Sequence, residues 1–131
     1  MSIGTLLYSK LTSDSGVSAL VSARVYAVIL PNNAKKRSLL PAISYQRISN
    51  TEQNGTSTLR ETRYQVDCWD DGYEGVQALA DAVKSALEEW ADTDQSPSVK
   101  MCRVIGELDD YEADTGLYRD SIDVMCTTMG D

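Results

Sequence analysis

Apolar and polar positions alternate most clearly between Arg60 and Trp90, and the rest of the chain is read around that stretch. From Arg60 to Trp69, Tyr64, Val66 and Cys68 fall on one face while Arg63, Gln65 and Asp67 fall on the other, because strand side chains alternate with period two. The segment therefore predicts a strand with one dry and one wet face. After Asp70-Asp71-Gly72 the period changes. Tyr73, Val76, Ala80, Val83, Leu87 and Trp90 recur at spacings of three and four, and Leu79 and Ala86 widen the stripe. This predicts a long amphipathic helix with Glu74, Gln77, Asp81, Lys84, Glu88 and Asp92 on its wet side. Asp71, three residues ahead of Glu74, has the form of an acidic capping box and sets the start of the helix.

Ahead of this unit, Ile3, Leu6, Leu7 and Leu11 have helical spacing behind Ser2 as a cap, and Ser13-Asp14-Ser15-Gly16 interrupts them. Val17, Leu20 and Val21 give a further short helix capped by Ser15, and Arg24 to Val28 turns to the β-rich composition of a short strand. Residues 30–41 hold Pro31, Pro41, Asn32, Asn33 and a basic triplet, the composition of a long exposed loop. Ala42 to Ser49 reads as a strand with Ile43 and Tyr45 on one face and Ile48 on the other, which requires a bulge or burial on both sides. Asn50 to Ser57 is a polar connection turning at Asn54-Gly55. Beyond the long helix and a polar loop from Asp92 to Ser98, Val99 to Leu108 is a strand; Met101 with Ile105, and Cys102 with Val104, make both faces partly apolar. Asp109 to Thr115 is an acidic connection ending at Gly116. Leu117 to Thr127 is the last strand, with Tyr118, Ile122, Val124 and Cys126 opposite Arg119, Ser121 and Asp123. The expected fold is α+β: a largely antiparallel sheet with a long helix and a short N-terminal helix packed on one face. A single domain spans residues 1–131, with an extended loop at 30–41.

Composition supports this. A chain of 131 residues suits one domain, and 42% hydrophobic against 24% charged residues is a globular balance. Phe is absent, so Tyr and Trp supply the aromatic bulk. Twenty acidic against twelve basic residues give a net charge of -8, which disfavours tight binding to nucleic acid and favours a basic partner surface. The three cysteines cannot all pair, form no C-x-x-C and sit at apolar strand positions; with no histidine in the chain they read as small buried hydrophobes in a reducing cytoplasm. No apolar run approaches the ~20 residues of a membrane span, and the start lacks a basic region followed by an apolar core, so the expectation is a protein neither secreted nor inserted.

Candidate chemistry is sparse. Asp114-Thr115-Gly116 matches the tripeptide of aspartic proteases, but Asp110 and Glu112 flank it and fifteen residues follow Gly116, so it reads as a hairpin turn. Asp110, Glu112 and Asp114 at alternate positions resemble the opening of a calcium loop; the pattern breaks at Thr115 and Ser121, where it needs Gly and Glu. An acidic, solvated or interface-forming turn is the reading that remains. Asn54-Gly55-Thr56 is a glycosylation acceptor in pattern only. There is no histidine base, no Gly-x-Ser-x-Gly elbow and no glycine-rich phosphate loop, so no enzyme, catalytic residue, cofactor or metal site is expected. Lys35-Lys36-Arg37 is the one cationic cluster: a solvated loop, or a basic arm for an acidic neighbour such as another copy's long-helix face or Glu107 to Asp110.

Three stretches, Leu6 to Leu11, Gly16 to Tyr26 and Leu40 to Ser49, resemble the tail completion (tail terminator) proteins of long-tailed bacteriophages. In that family a helix leads to a short valine-containing turn and an Arg-Val-Tyr-like strand start, here Arg24-Val25-Tyr26, and a loop ends in Pro, here Pro41, ahead of a strand. Tyr64 to Trp69 followed by Tyr73 to Val83 is similar to the family's strand and long helix. The resemblance implies an α+β subunit that assembles as a ring, usually a hexamer, at the head-proximal end of the tail tube, where it stops tube growth and joins the tail to the head connector. It implies as partners other copies, the major tail tube protein and the head-completion (stopper) protein, with DNA passing through the ring without sequence-specific binding and no membrane. It implies the virion as location, after assembly in the host cytoplasm. Acidic residues lining the lumen would repel passing DNA. No motif marks the family's binding residues, so the interface candidates rest on chemistry: Lys35, Lys36 and Arg37 in the loop, Arg60 and Arg63 on the wet faces of the strand, and Asp109, Asp110, Glu112 and Asp114 in the acidic turn. Another head-tail connector or a minor tail-tube protein would share the same sheet and helix, and a small acidic adaptor would share the same surface.

Overall fold

A computed structural model describes residues 2–29, 39–53, 56–94 and 97–129. The elements in chain order are α1 (Ile3–Ser13), α2 (Ser15–Val21), β1 (Val25–Ala27), β2 (Ala42–Gln53), β3 (Thr56–Asp70), α3 (Tyr73–Leu87), β4 (Ser98–Glu112) and β5 (Leu117–Met129). The strands form one five-stranded sheet in the order β1-β2-β3-β5-β4. β1 pairs parallel with β2 and every other pairing is antiparallel, so the α+β architecture with a mostly antiparallel sheet is the one observed. Among the described residues no helix is long and apolar enough to cross a membrane.

The helix starts follow local hydrogen bonding. The Ser2 hydroxyl accepts from the Thr5 amide at 3.1 Å and opens α1. α2 is capped by Asp14, whose carboxylate accepts from the Val17 amide at 3.1 Å, one residue ahead of the expected Ser15. The expected Asp71 cap of α3 is also corrected. The Asp71 amide donates to the Asp70 carboxylate at 2.9 Å, and the helix begins behind Gly72 with no side-chain cap. Asp70 packs so closely on α3 that a Cβ added at Gly75 would overlap its carboxylate, which explains a glycine in the first turn of a helix.

The strands are longer than the sequence pattern predicts. Asn50 pairs with Thr62, Asp109 with Asp120 and Asp110 with Arg119, so residues expected in polar connections belong to the ladder. Backbone pairing continues through them because it does not depend on an apolar side chain. Only Ala113 to Gly116 turns the β4–β5 hairpin, and Gly116 takes the left-handed φ of +72° that glycine accepts without strain. The expected bulge in β2 lies between Arg47 and Ser49, leaving Ile48 out of register and exposed. The expected Asn54-Gly55 turn lies outside the described residues.

Val17, Val21, Ile43, Tyr64, Val66, Cys68, Val76, Leu79, Val83, Leu87, Ile122 and Val124 belong to one buried cluster joining all three helices to the sheet. Tyr73, placed on the apolar stripe by spacing, is instead 43% exposed, and Asp67 and Trp69 are buried on the face expected to be wet. Trp69 forms a second, smaller cluster there with Ala42 and Leu117. The reading of three free cysteines also changes. Cys102 and Cys126 stand opposite each other on β4 and β5 and are joined by a disulfide, leaving Cys68 as the free, buried thiol. Spacing along the chain did not carry this pairing; the register of the hairpin does.

Two outcomes are expected. Leu79→Ala, at a fully buried position of α3, lowers unfolding free energy by roughly 2–5 kcal/mol in urea titration. Thiol titration of the denatured, unreduced chain gives one reactive group per chain and three after reduction; three without reductant would show that the hairpin is not cross-linked.

Candidate functional site

Beyond Ile122 the apolar supply on this side of the sheet ends, but the alternation does not. Asp120 on β5, and Asp109 and Glu107 on β4, point to the same side as Ile122 and Val124, where the polar flank of α3 overhangs them with Gln77, Asp81 and Lys84. These groups line an open pocket of about 390 Å³. Carboxylate oxygens of Glu107, Asp109 and Asp120 lie within 4.8 Å of one another.

Each carboxylate is compensated differently. The Tyr73 hydroxyl donates to Asp109 at 2.8 Å and itself accepts from the Gln77 amide at 2.9 Å. Lys84 bridges Glu107 at 2.8 Å and Asp81 at 3.4 Å. Asp120 is 1% exposed, and its Oδ1 has no hydrogen-bond partner. Burial, followed by the adjacent Glu107 and Asp109 carboxylates, pushes the Asp120 pKa up to about 8 from 3.8. Glu107 moves the other way, held down first by a hydrogen bond from Asp120 and then by Lys84. At neutral pH Asp120 therefore keeps its proton and donates to an ionised Glu107. The Glu107 bond raises the Lys84 pKa, the Asp109 bond raises that of Tyr73, and burial raises that of the Cys68 thiol across the strand from Asp120.

The acidic residues expected in one turn are split by the ladder. Asp109 joins the pocket. Asp110 turns to the opposite face and pairs with Arg119 at 2.8 Å, Glu112 accepts from the Thr115 hydroxyl at 3.1 Å, and Asp114 is exposed in the hairpin turn. Arg60 and Arg63, three residues apart in an unbroken register, lie on opposite faces of β3; Arg63 pairs with Asp123 at 2.7 Å. Lys35, Lys36 and Arg37 lie outside the described residues. The ends of their segment are anchored: the Arg24 guanidinium donates to the Pro41 carbonyl at 3.0 Å and the Val28 amide to the Tyr45 carbonyl at 2.7 Å. Glu107 and Asp120 were missed as site residues. Both lie inside the strands expected at Val99 to Leu108 and Leu117 to Thr127, and their signal is parity: Asp120 alternates with Tyr118 and Ile122, while Glu107 gains Asp109 as a same-face neighbour only because β4 runs on to Glu112.

On the opposite face a polar layer ties neighbouring strands. Trp69 Nε1 donates to the Ser44 hydroxyl at 3.0 Å, and the Arg119 guanidinium lies 5.5 Å over the Trp69 ring. Asp67 accepts from Gln65 at 2.9 Å and from Ser121 at 2.6 Å. The chain is thus an α+β domain whose polar side chains tie neighbouring strands and cover its outer surface. A profile of the family described as "Tail completion protein gp17" matches residues 5–128, and the chain belongs to that family of bacteriophage virion structural proteins. No match was found among curated proteins. In fold the chain is similar to a chain of the "Virion of native gene transfer agent (GTA) particle", with a TM-score of 0.76 and 16% identity over 95% of this chain and 92% of that one.

The Asp120 shift has a sign. A carboxyl whose pKa is higher folded than unfolded gives stability that is full below 3.8 and is lost as pH rises through about 8. Asp120→Asn removes this titration. Urea unfolding of the metal-stripped protein is expected to show the wild type losing stability relative to the variant across that window. Parallel profiles would contradict a protonated Asp120.

Proposed function

We propose that this chain forms a ring, six copies around, at the head-proximal end of a phage tail tube, where it ends tube growth and joins the tail to the head connector. The observation that carries this reading is the family match across residues 5–128. The fold supports it through the division of labour between the two sides of the sheet. With the long helix and the short N-terminal helices packed on one side, the opposite side and the β4 edge are left for neighbouring subunits. Leu108 and Tyr111 are exposed along that edge, beside the Arg119–Asp110 pair.

In this ring the basic segment Lys35 to Arg37 reaches an acidic surface of the next copy, and the excess of acidic residues, net -8 per chain, turns toward the lumen and lets DNA slide past. The major tail tube protein and the head-completion protein meet the two ends of the ring.

Electron microscopy and native mass spectrometry of the chain mixed with its major tail tube protein test this. Six-membered rings on tube ends, with tubes that no longer lengthen, are the expected outcome. A chain that stays monomeric and leaves tube growth unchanged would overturn the reading. Reversal of charge at Lys35, Lys36 and Arg37 to Glu is expected to abolish the ring while the far-UV spectrum is unchanged.

A further inference from the structure

We propose that Glu107, Asp109 and Asp120 form a binding site for a hard divalent cation of the calcium class, set between α3 and the β4–β5 hairpin. The first observation is convergence: one oxygen from each of the three lies within 4.8 Å of the others. Their positions are fixed by the ladder, with Asp109 directly opposite Asp120 and Glu107 opposite Ile122. The cluster is therefore not a chance meeting of long side chains on a loop.

The second observation is independent of the first. Asp120 lines the pocket, is 1% exposed, and leaves Oδ1 without any hydrogen-bond donor. A buried acceptor with no donor is costly, and native folds rarely leave one without a water or an ion to serve it. The surrounding groups select the ion. Glu107, Asp109, Asp120 and the Gln77 side chain line the pocket with oxygen, the donor set of hard cations, and the ion displaces the Asp120 proton to solvent as it binds. Calcium accepts roughly six to eight oxygens in irregular geometry, whereas magnesium demands a near-ideal octahedron and gives up water reluctantly. A pocket of about 390 Å³ has room for the waters that would complete the shell.

Lys84 is the resident competitor. Its ammonium holds Glu107 at 2.8 Å and also reaches Asp81 at 3.4 Å, so it can transfer to Asp81 when a cation takes Glu107. The ion then clamps the hairpin to the overhanging helix in place of a single lysine. This site does not depend on the ring: the ligands all come from one chain.

The test titrates calcium chloride into the EDTA-stripped full chain by isothermal calorimetry, with thermal unfolding alongside. One saturable calcium per chain and a raised Tm are expected. Asp109→Asn and Asp120→Asn should each weaken binding roughly tenfold or more, Lys84→Met should tighten it, and Asp114→Asn at the hairpin tip should leave it unchanged. Asp109 is exposed, so its variant carries the test if Asp120→Asn does not fold. No saturable binding at millimolar calcium, or binding that survives both substitutions, overturns the site. Magnesium binding as tight as calcium overturns the assignment of the ion.

Discussion

The structure depends on one act of desolvation, the burial of the Val66 and Cys68 side of β3 in one cluster with the apolar stripe of α3. β3 stands at the middle of the sheet, and Val66, Cys68, Leu79 and Val83 are each fully buried. Burying a side chain of this size is worth about 1.5–3 kcal/mol, and the two-residue link Asp71-Gly72 keeps the strand and the helix that bury these side chains adjacent. The close seat of Asp70 on Gly75 fixes how the helix leaves the strand. From α3 the chain must cross to β4 on the far side of β5, and the hairpin then fills the gap.

The acidic pocket is the far edge of that same packing. Period-two alternation buries Ile122 and Val124 beneath α3 and, continuing, carries Asp120 inward after apolar residues have run out. Three carboxylates so close cannot all stay charged without compensation. The fold supplies a different answer to each: a retained proton on Asp120, an ammonium on Glu107 and a phenol on Asp109. These answers differ in how readily they can be exchanged, and the Asp120 oxygen with no donor is the one point where the arrangement is incomplete.

The fold was legible in the sequence to the extent that apolar periodicity carried it. Every element and the order of all eight could be read from Ile3 to Thr127, and even the Ile48 bulge announced itself as a break in alternation. What periodicity could not supply was the extent of polar strands. Asn50 to Gln53 have no apolar side chain, and Asp109 to Glu112 only Tyr111, to mark them as paired, yet backbone hydrogen bonds hold them. That single omission hid most of the site: with Asp109 to Asp114 taken as a loop, their faces were undefined and Asp120 had no partner. The Cys102–Cys126 bond was hidden for the same reason, since it follows from hairpin register. The wet face expected from Arg63, Gln65 and Asp67 also ends short for a different reason, because a second small cluster of Trp69 with Ala42 and Leu117 covers one end of it.

The outer charges bear on the proposed assembly. Arg63, Lys84 and Arg119 each form an ion pair within the chain, with Asp123, Glu107 and Asp110, although the Nε of Arg63 and of Arg119 is buried without a partner. Partly exposed pairs of this kind contribute only about 0–1 kcal/mol, because water competes for both partners and salt screens them. Exchanging such a pair for one across an interface therefore changes little free energy in either direction, while leaving a charge unpaired in a closed interface would be expensive. In the proposed ring, a chain that pairs these three cations within itself stays dispersed under its net negative charge before assembly and still offers the same groups to a neighbour. The affinity of the proposed ring then comes from the apolar positions between them, such as Leu108 at 68% exposed and Met101 at 52% along β4, with the charges deciding which surface faces which.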